Sequence, residues 1–196
     1  MIRKSSRTIA KKNGDIKSAS KNSRLVSAVN ESNISSINNV QNKLRTLATS
    51  DRNDREQSTV NWDETNKNDK NRTNELIKLT KQYGYIDSDK FGKQTEEDAW
   101  LIAQHAIHNI SFMKKYLKLM EQRINENKSV TENYPLLVDR VAMLQNKKQT
   151  YGTQFIQNDN GKYVPHPIKD IKNIDKYRKK FNMLPFADDL AYFSAQ

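Results

Sequence analysis

The stretch TEEDAWLIAQHAIHN, residues 95–109, decides how the chain is read. Thr95-Glu96-Glu97-Asp98 resembles a capping box, with Asp in the place usually held by Glu or Gln, and predicts a helix start. At about 100° per residue, Ala99, Trp100, Ile102, Ala103, Ala106 and Ile107 cover a wide arc of a helix expected to run to about His108. A helix apolar over so much of its circumference belongs at the centre of a bundle. Gln104, His105 and His108 fill the remaining arc, with Leu101 among them, and spacings of three and four residues let them meet on one side. That stripe faces either water or an internal polar pocket. In a pocket, His105 is a candidate general acid/base steadied by Gln104, with His108 beside it. A metal site is not expected, because the two histidines lack a third carboxylate at a fixed spacing. No cofactor is expected either.

Working outward, the same period recurs. Ile37, Val40, Leu44 and Leu47 predict a helix from about Ser36 to Gln57. Its stripe continues in register into Asp51 and Asp54, with Arg55 beside them, which reads as a helix leaving the core with a wet end. A second helix is expected over about Asp69–Tyr83, with Leu76, Ile77 and Leu79 inward and Gly84 as the stop. Residues 84–94 read as a loop. Asn109 or Ser111 restarts a helix carrying Ile110, Met113, Leu117, Met120 and Ile124. Another starts at Thr131, tolerates Pro135 in its first turn and runs to about Lys147.

A hairpin follows at about residues 151–168. It runs Tyr151–Gln157, turns at Asp159-Asn160-Gly161 and returns over Lys162–Ile168, with Pro165 and Pro167 keeping the return strand at an edge. A helix over about Ile174–Asn182 and a helical or coiled end over Pro185–Phe193 close the chain. The expected fold is mainly α: a compact domain of five to six helices with one small β-hairpin, residues 35–196. A basic tail, residues 1–34, disordered or loosely helical, precedes it.

Arg140 shares a side with Leu136, Leu137, Met143 and Leu144, so it must snorkel, pair with a carboxylate or hold a bound anion. Asp51, Asp54 and Glu97 are candidate partners; Asp139 points about 100° away. In the hairpin, Gly152 allows close backbone approach, and Tyr151 and Gln154 become candidates for holding a substrate over the end of the bundle.

Composition narrows the classes. The chain has no cysteine, which excludes disulfides, thiol catalysis and Cys-based zinc sites. It has no apolar run long enough to span a membrane and no secretory signal pattern at its start. Location in the cytoplasm, or export by a route without a cleavable secretory signal, follows as an expectation. Net charge is +11, and residues 1–25 hold eight basic residues against Asp15 alone. Such a tail suits nucleic acid or an acidic partner. There is no Gly-rich phosphate loop, G-x-S-x-G elbow or H-E-x-x-H pair.

Several blocks occur together: Trp100-Leu101-Ile102-Ala103-Gln104-His105-Ala106, Asp139-Arg140-Val141, Tyr151-Gly152-Thr153-Gln154, Pro165-His166-Pro167-Ile168, and Arg178 with Leu184-Pro185. In this order they resemble the bacterial family known as domain of unknown function 6624, over about residues 47–193. Asp51 and Arg55 look like that family's Asp-Gln-x-x-Arg element, with Arg52 replacing the glutamine, and Gly84-Tyr85 stands where Gly-Trp is usual. The family's Ala-Asp-x-Asp after Gln-His is Ala106-Ile107-His108-Asn109 here. The resemblance implies a compact helical domain with a small hairpin, and no activity. It marks Gln104, His105, Asp139, Arg140, Tyr151 and Gln154 as one candidate cluster, with Asp51, Arg55 and His108 as further candidates for substrate binding.

Two functions are expected from these residues. One is a metal-independent enzyme, hydrolase or transferase, on a phosphate-bearing substrate such as RNA or a nucleotide, in the manner of a toxin or effector with a cognate inhibitor protein. His105 would move a proton, Arg140 hold negative charge, and Gln104, Tyr151 and Gln154 orient the substrate. The other is a non-catalytic binding module for an anion, a peptide or a nucleic acid.

Overall fold

A computed structural model describes residues 6–126 and 132–195, with side chains from residue 31 onward. Residues 1–5 of the expected tail and a helix start at Thr131 lie outside the described residues. The chain divides into two units, residues 1–41 and 42–196. From Ser6 the first unit is helix, the leading part of α1 (Ser6–Arg55). The helix begins well before Ser36 because residues 6–35 contain no proline and are rich in Lys, Arg, Ala and Ser, which carry a helix without any apolar stripe.

In the second unit α1 ends, and α2 (Trp62–Tyr83), α3 (Ser88–Phe91), α4 (Lys93–Gln104), α5 (Ile110–Asn125) and α6 (Tyr134–Leu144) follow. Strands β1 (Phe155–Gln157) and β2 (Tyr163–Pro165) lead to α7 (Ile174–Lys179) and α8 (Phe186–Ser194). The described residues are thus mainly helical with one two-stranded hairpin. None of their helices is long and apolar enough to cross a membrane.

Local chemistry explains the boundaries. The side chain of Asn61 accepts from the Glu64 N–H at 3.2 Å, and Asp63 and Glu64 complement the helix dipole, so α2 starts earlier than its apolar residues suggest. The expected loop contains α3, capped by Asp87 on the Lys90 N–H at 2.9 Å, which drives Phe91 into the core. The expected capping box does not form. α4 already starts after Gly92, so Thr95 and Asp98 lie inside it. Glu96 instead accepts from the Tyr85 hydroxyl at 2.9 Å and the Ser88 N–H at 2.8 Å. Asp98 accepts from Arg45 at 3.1 Å and Arg52 at 3.0 Å.

α4 stops at Gln104 rather than His108, because Asn109 caps α5 by accepting from the Phe112 N–H at 3.0 Å. Residues 105–108 become the turn between the two helices. Leu44, Ala48, Leu76, Ile102, Ala103, Met113, Met120 and Leu137 form the core of this unit and are 0–1 % exposed.

The hairpin is shorter than expected. β1 and β2 pair antiparallel, Phe155 with Pro165, Ile156 with Val164 and Gln157 with Tyr163. Asn158 Oδ1 accepts from the N–H groups of Asn160 and Lys162, and Gly161 takes the positive φ of 75° that the turn needs. Residues 151–154 are loop, not strand. Phe193 of α8 stacks on Phe155 at 4.2 Å and ties the hairpin to the C-terminus.

Candidate functional site

The end of α1 is not wet. Asp51 is 0 % exposed and lies one helical step beyond Leu44 and Ala48 on the inward stripe. Arg55 Nη1 donates to its Oδ1 at 2.8 Å, and Arg72 Nε lies 3.6 Å from the same oxygen. Asp69 takes Arg55 Nη2 on Oδ2 at 2.6 Å and Arg72 Nη2 on Oδ1 at 2.8 Å. Arg72 Nη1 reaches Asp54 at 2.7 Å and the Ser50 hydroxyl at 3.1 Å. Three carboxylates and two guanidiniums thus alternate between α1 and α2. Burial works against the charge on Arg72, but its hydrogen bonds to Asp69 and Asp54 outweigh that and hold the guanidinium above its ordinary value.

His105 hangs on this network. Its Nδ1 lies 2.9 and 3.0 Å from the two oxygens of Asp51. A carboxylate only accepts, so Nδ1 carries the proton and Nε2 keeps its lone pair in the neutral ring. The side chain is 18 % exposed. The backbone of His105 sits at φ −90°, ψ 0°, in the sparsely populated bridge region that ends α4.

Asp51, Asp69 and His105 bring three potential metal ligands within 4.8 Å of one another. Both oxygens of Asp69 and Oδ1 of Asp51 already face guanidinium groups that supply the positive charge a cation would bring. The donor set is that of an ion-pair network with a histidine.

Arg140, half-buried on α6, reaches the residue before His105. Its Nε donates to Gln154 Oε1 at 3.2 Å and its Nη1 to the main-chain carbonyl of Gln104 at 3.4 Å. The expected carboxylate partners are engaged elsewhere: Asp51 and Asp54 hold Arg55 and Arg72. Among the described residues no carboxylate lies within 4 Å of Arg140. Burial, and then the like charge of Arg55, lower its pKa; an arginine remains charged through such a shift. Gln154 is fixed by its own amide, which donates to the Leu136 carbonyl at 3.4 Å and the Thr153 hydroxyl at 3.0 Å.

The remaining candidates lie around this centre. His108 leaves the face of His105 because the helix breaks between them, and its ring is exposed. Burial lowers its pKa, Asp69 works to raise it and Lys70 to lower it, with a net fall. Asp139 is fully buried and accepts from the N–H groups of Thr150, Tyr151 and Thr153 and from the Thr153 hydroxyl at 2.7–3.1 Å. Its oxygens are spent on shaping the loop that presents Gln154. The Tyr151 ring turns away and meets Phe181 edge-on, with centroids 5.4 Å apart. Gln104 joins through its carbonyl.

Asp69 and Arg72 escaped the sequence reading. Their only signal was an acid and an arginine three residues apart, in line with Leu76 on one helical face.

Residues 38–194 match the family model described as Family of unknown function (DUF6624). No curated protein and no solved structure matches the chain. With most of its length covered by that match, the chain belongs to the family of unknown function DUF6624.

Proposed function

We propose that the domain is a metal-independent enzyme, a hydrolase or transferase, acting on a phosphate-bearing substrate such as RNA or a nucleotide. The observation that carries this reading is the Asp51 carboxylate on Nδ1 of His105, 2.9 and 3.0 Å away. Asp51 orients the ring and keeps the proton on Nδ1, which leaves Nε2 to take a proton. Nε2 would remove the proton of an attacking hydroxyl as its oxygen bonds to phosphorus. The protonated ring, or solvent, would return a proton to the ester oxygen that departs. Arg140, with two of its N–H groups on carbonyl oxygens and no carboxylate partner, would hold the phosphate charge. Arg55, Arg72 and Asp69 position Asp51.

The test is turnover of bis(p-nitrophenyl) phosphate and of a fluorophore–quencher RNA by the full chain. His105→Ala should reduce turnover by roughly 100-fold or more while the melting temperature stays nearly unchanged. Turnover that survives this substitution overturns the reading.

The unspent donors of Arg140 favour one second reading, a module that holds an anion without turning it over. Calorimetric binding of inorganic phosphate that is lost in Arg140→Gln, with no turnover of either probe, would select it.

A further inference from the structure

Away from His105, a cavity of about 220 Å³ lies where α5, the start of α6 and the end of α7 come together. Glu121, Asn125, Tyr134, Tyr151, Lys180 and Phe181 line it. Tyr134 stacks on Phe181 with centroids 5.3 Å apart and an interplanar angle of 22°, and Tyr151 meets Phe181 edge-on. All three rings are half-buried, so each is held by packing and still has surface to offer. Burial, and then Glu121, push the Tyr134 phenol up to about 12.

A row of cations leads to this cavity. Lys172, Lys176, Lys179 and Lys180 are exposed at spacings of three and four residues, opposite the buried Ile174 and Arg178. None of the four takes part in an ion pair among the described residues, whereas Lys43, Lys78 and Lys93 do. The acids of the same segment are occupied: Asp170 accepts from Asn173 at 2.9 Å, and Asp175 caps the Phe186 N–H at 2.7 Å. The four cations outnumber these two acids.

We infer that this surface binds a single-stranded nucleic acid, its phosphates along Lys172, Lys176, Lys179 and Lys180 and one base among Tyr134, Tyr151 and Phe181. Stacking on an aromatic ring contributes about 1–3 kcal/mol per base and is open only to bases that are not paired. Glu121 and Asn125 offer an acceptor and an amide to the edge of that base. A mononucleotide would need one cation; a row of four suits a polymer. The inference deepens the enzyme reading, on which its account of the substrate rests. α6 carries Tyr134 in its first turn and Arg140 about 9 Å further along its axis.

The experiment is fluorescence anisotropy of a fluorescein-labelled single-stranded RNA on the full-length His105→Ala chain, which leaves the probe intact. Tyr134→Leu should weaken binding roughly tenfold, while Tyr134→Phe, which keeps the stack, should change it little. Lys176→Glu combined with Lys179→Glu should weaken binding and flatten the dependence of log Kd on log salt by about 1.4. Melting temperatures of all variants establish that they fold. Binding indifferent to Tyr134→Leu in a folded variant, or duplex RNA bound as tightly as the single strand, overturns the proposal. Binding with these dependences but no turnover by the unsubstituted chain leaves the docking surface standing and removes the enzyme reading. Turnover of bis(p-nitrophenyl) phosphate without RNA binding does the reverse.

Discussion

Asp51 holds a histidine and a guanidinium at once, and the two contacts answer to different substitutions. Removing the ring in His105→Ala leaves Asp51 bonded to Arg55 and close to Arg72, so the carboxylate is never stranded. Removing the carboxylate in Asp51→Ala strands charges inside the protein, and breaking a buried pair costs about 3–5 kcal/mol. At roughly 2–4 °C per kcal/mol for a chain of this size, thermal unfolding should show a loss near 10 °C for Asp51→Ala and at most a few degrees for His105→Ala. Equal losses would mean that the ring is a structural member of the network. Asp54 adds a pH test. Burial alone would raise its pKa, but the hydrogen bonds from Arg72 and Asn68 hold it below its ordinary 3.8. A carboxyl depressed by folding contributes stability above its unfolded value, and this is lost as pH falls through the folded value. Asp54→Asn should therefore lower the melting temperature near neutral pH, and the gap should close as pH drops below 3.8. A gap that stays constant with pH would assign the effect to packing instead.

Among the elements, α2 shows where apolar period fails as a guide. Its inward face begins with Thr65, Asp69, Arg72 and Thr73 before Leu76 is reached. Half of that face is buried because its charges meet opposite charges on α1, a fact about a partner helix that no local pattern contains. The same limit misread Asp51 as solvated. α5 and the later half of α4 were legible because their buried residues are apolar or aromatic, Phe112, Met113, Tyr116 and Met120 in the one and Ala99, Ile102 and Ala103 in the other, although the cap at Asn109 was needed to show that His105 and His108 part company. The hairpin was legible from its turn and prolines, but not the loop before it. There Asp139 and Gly152 set the path. Gly152 has φ +71°, and a Cβ on it would come within 2.6 Å of the Phe186 ring and 2.8 Å of Ile174 Cδ1. Gly152→Ala combines left-handed strain with overpacking, so urea unfolding should report a loss of about 2–4 kcal/mol. Asp139→Ala, by freeing three part-buried N–H groups at once, should lose a similar amount and speed hydrogen exchange at Thr150, Tyr151 and Thr153. Little change in that exchange would show that the loop is held by its rings alone.

For the whole molecule, the family match and the second structural unit begin almost together, at residues 38 and 42. Residues 1–37 hold eight basic residues against Asp15 and Glu31, a net +6 of the total +11. The candidate site, the cavity and the lysines at positions 172–180 all belong to the later unit. Charge and fold are therefore separable, and a chain beginning at Asn38 should keep a single cooperative unfolding transition near the temperature of the full chain. Its behaviour towards single-stranded RNA should change in one respect only. Phosphate contacts made by a basic tail add to the salt dependence by about 0.7 per contact and carry no preference for unpaired bases. The shortened chain should thus bind more weakly at low salt, with a shallower slope, while the roughly tenfold effect of Tyr134→Leu persists undiminished. If that effect vanishes with the tail, the aromatic cavity takes no base by itself and the tail makes the contact. If the salt slope is unchanged, the tail touches no phosphate, and the lysines at positions 172–180 carry the whole electrostatic attraction.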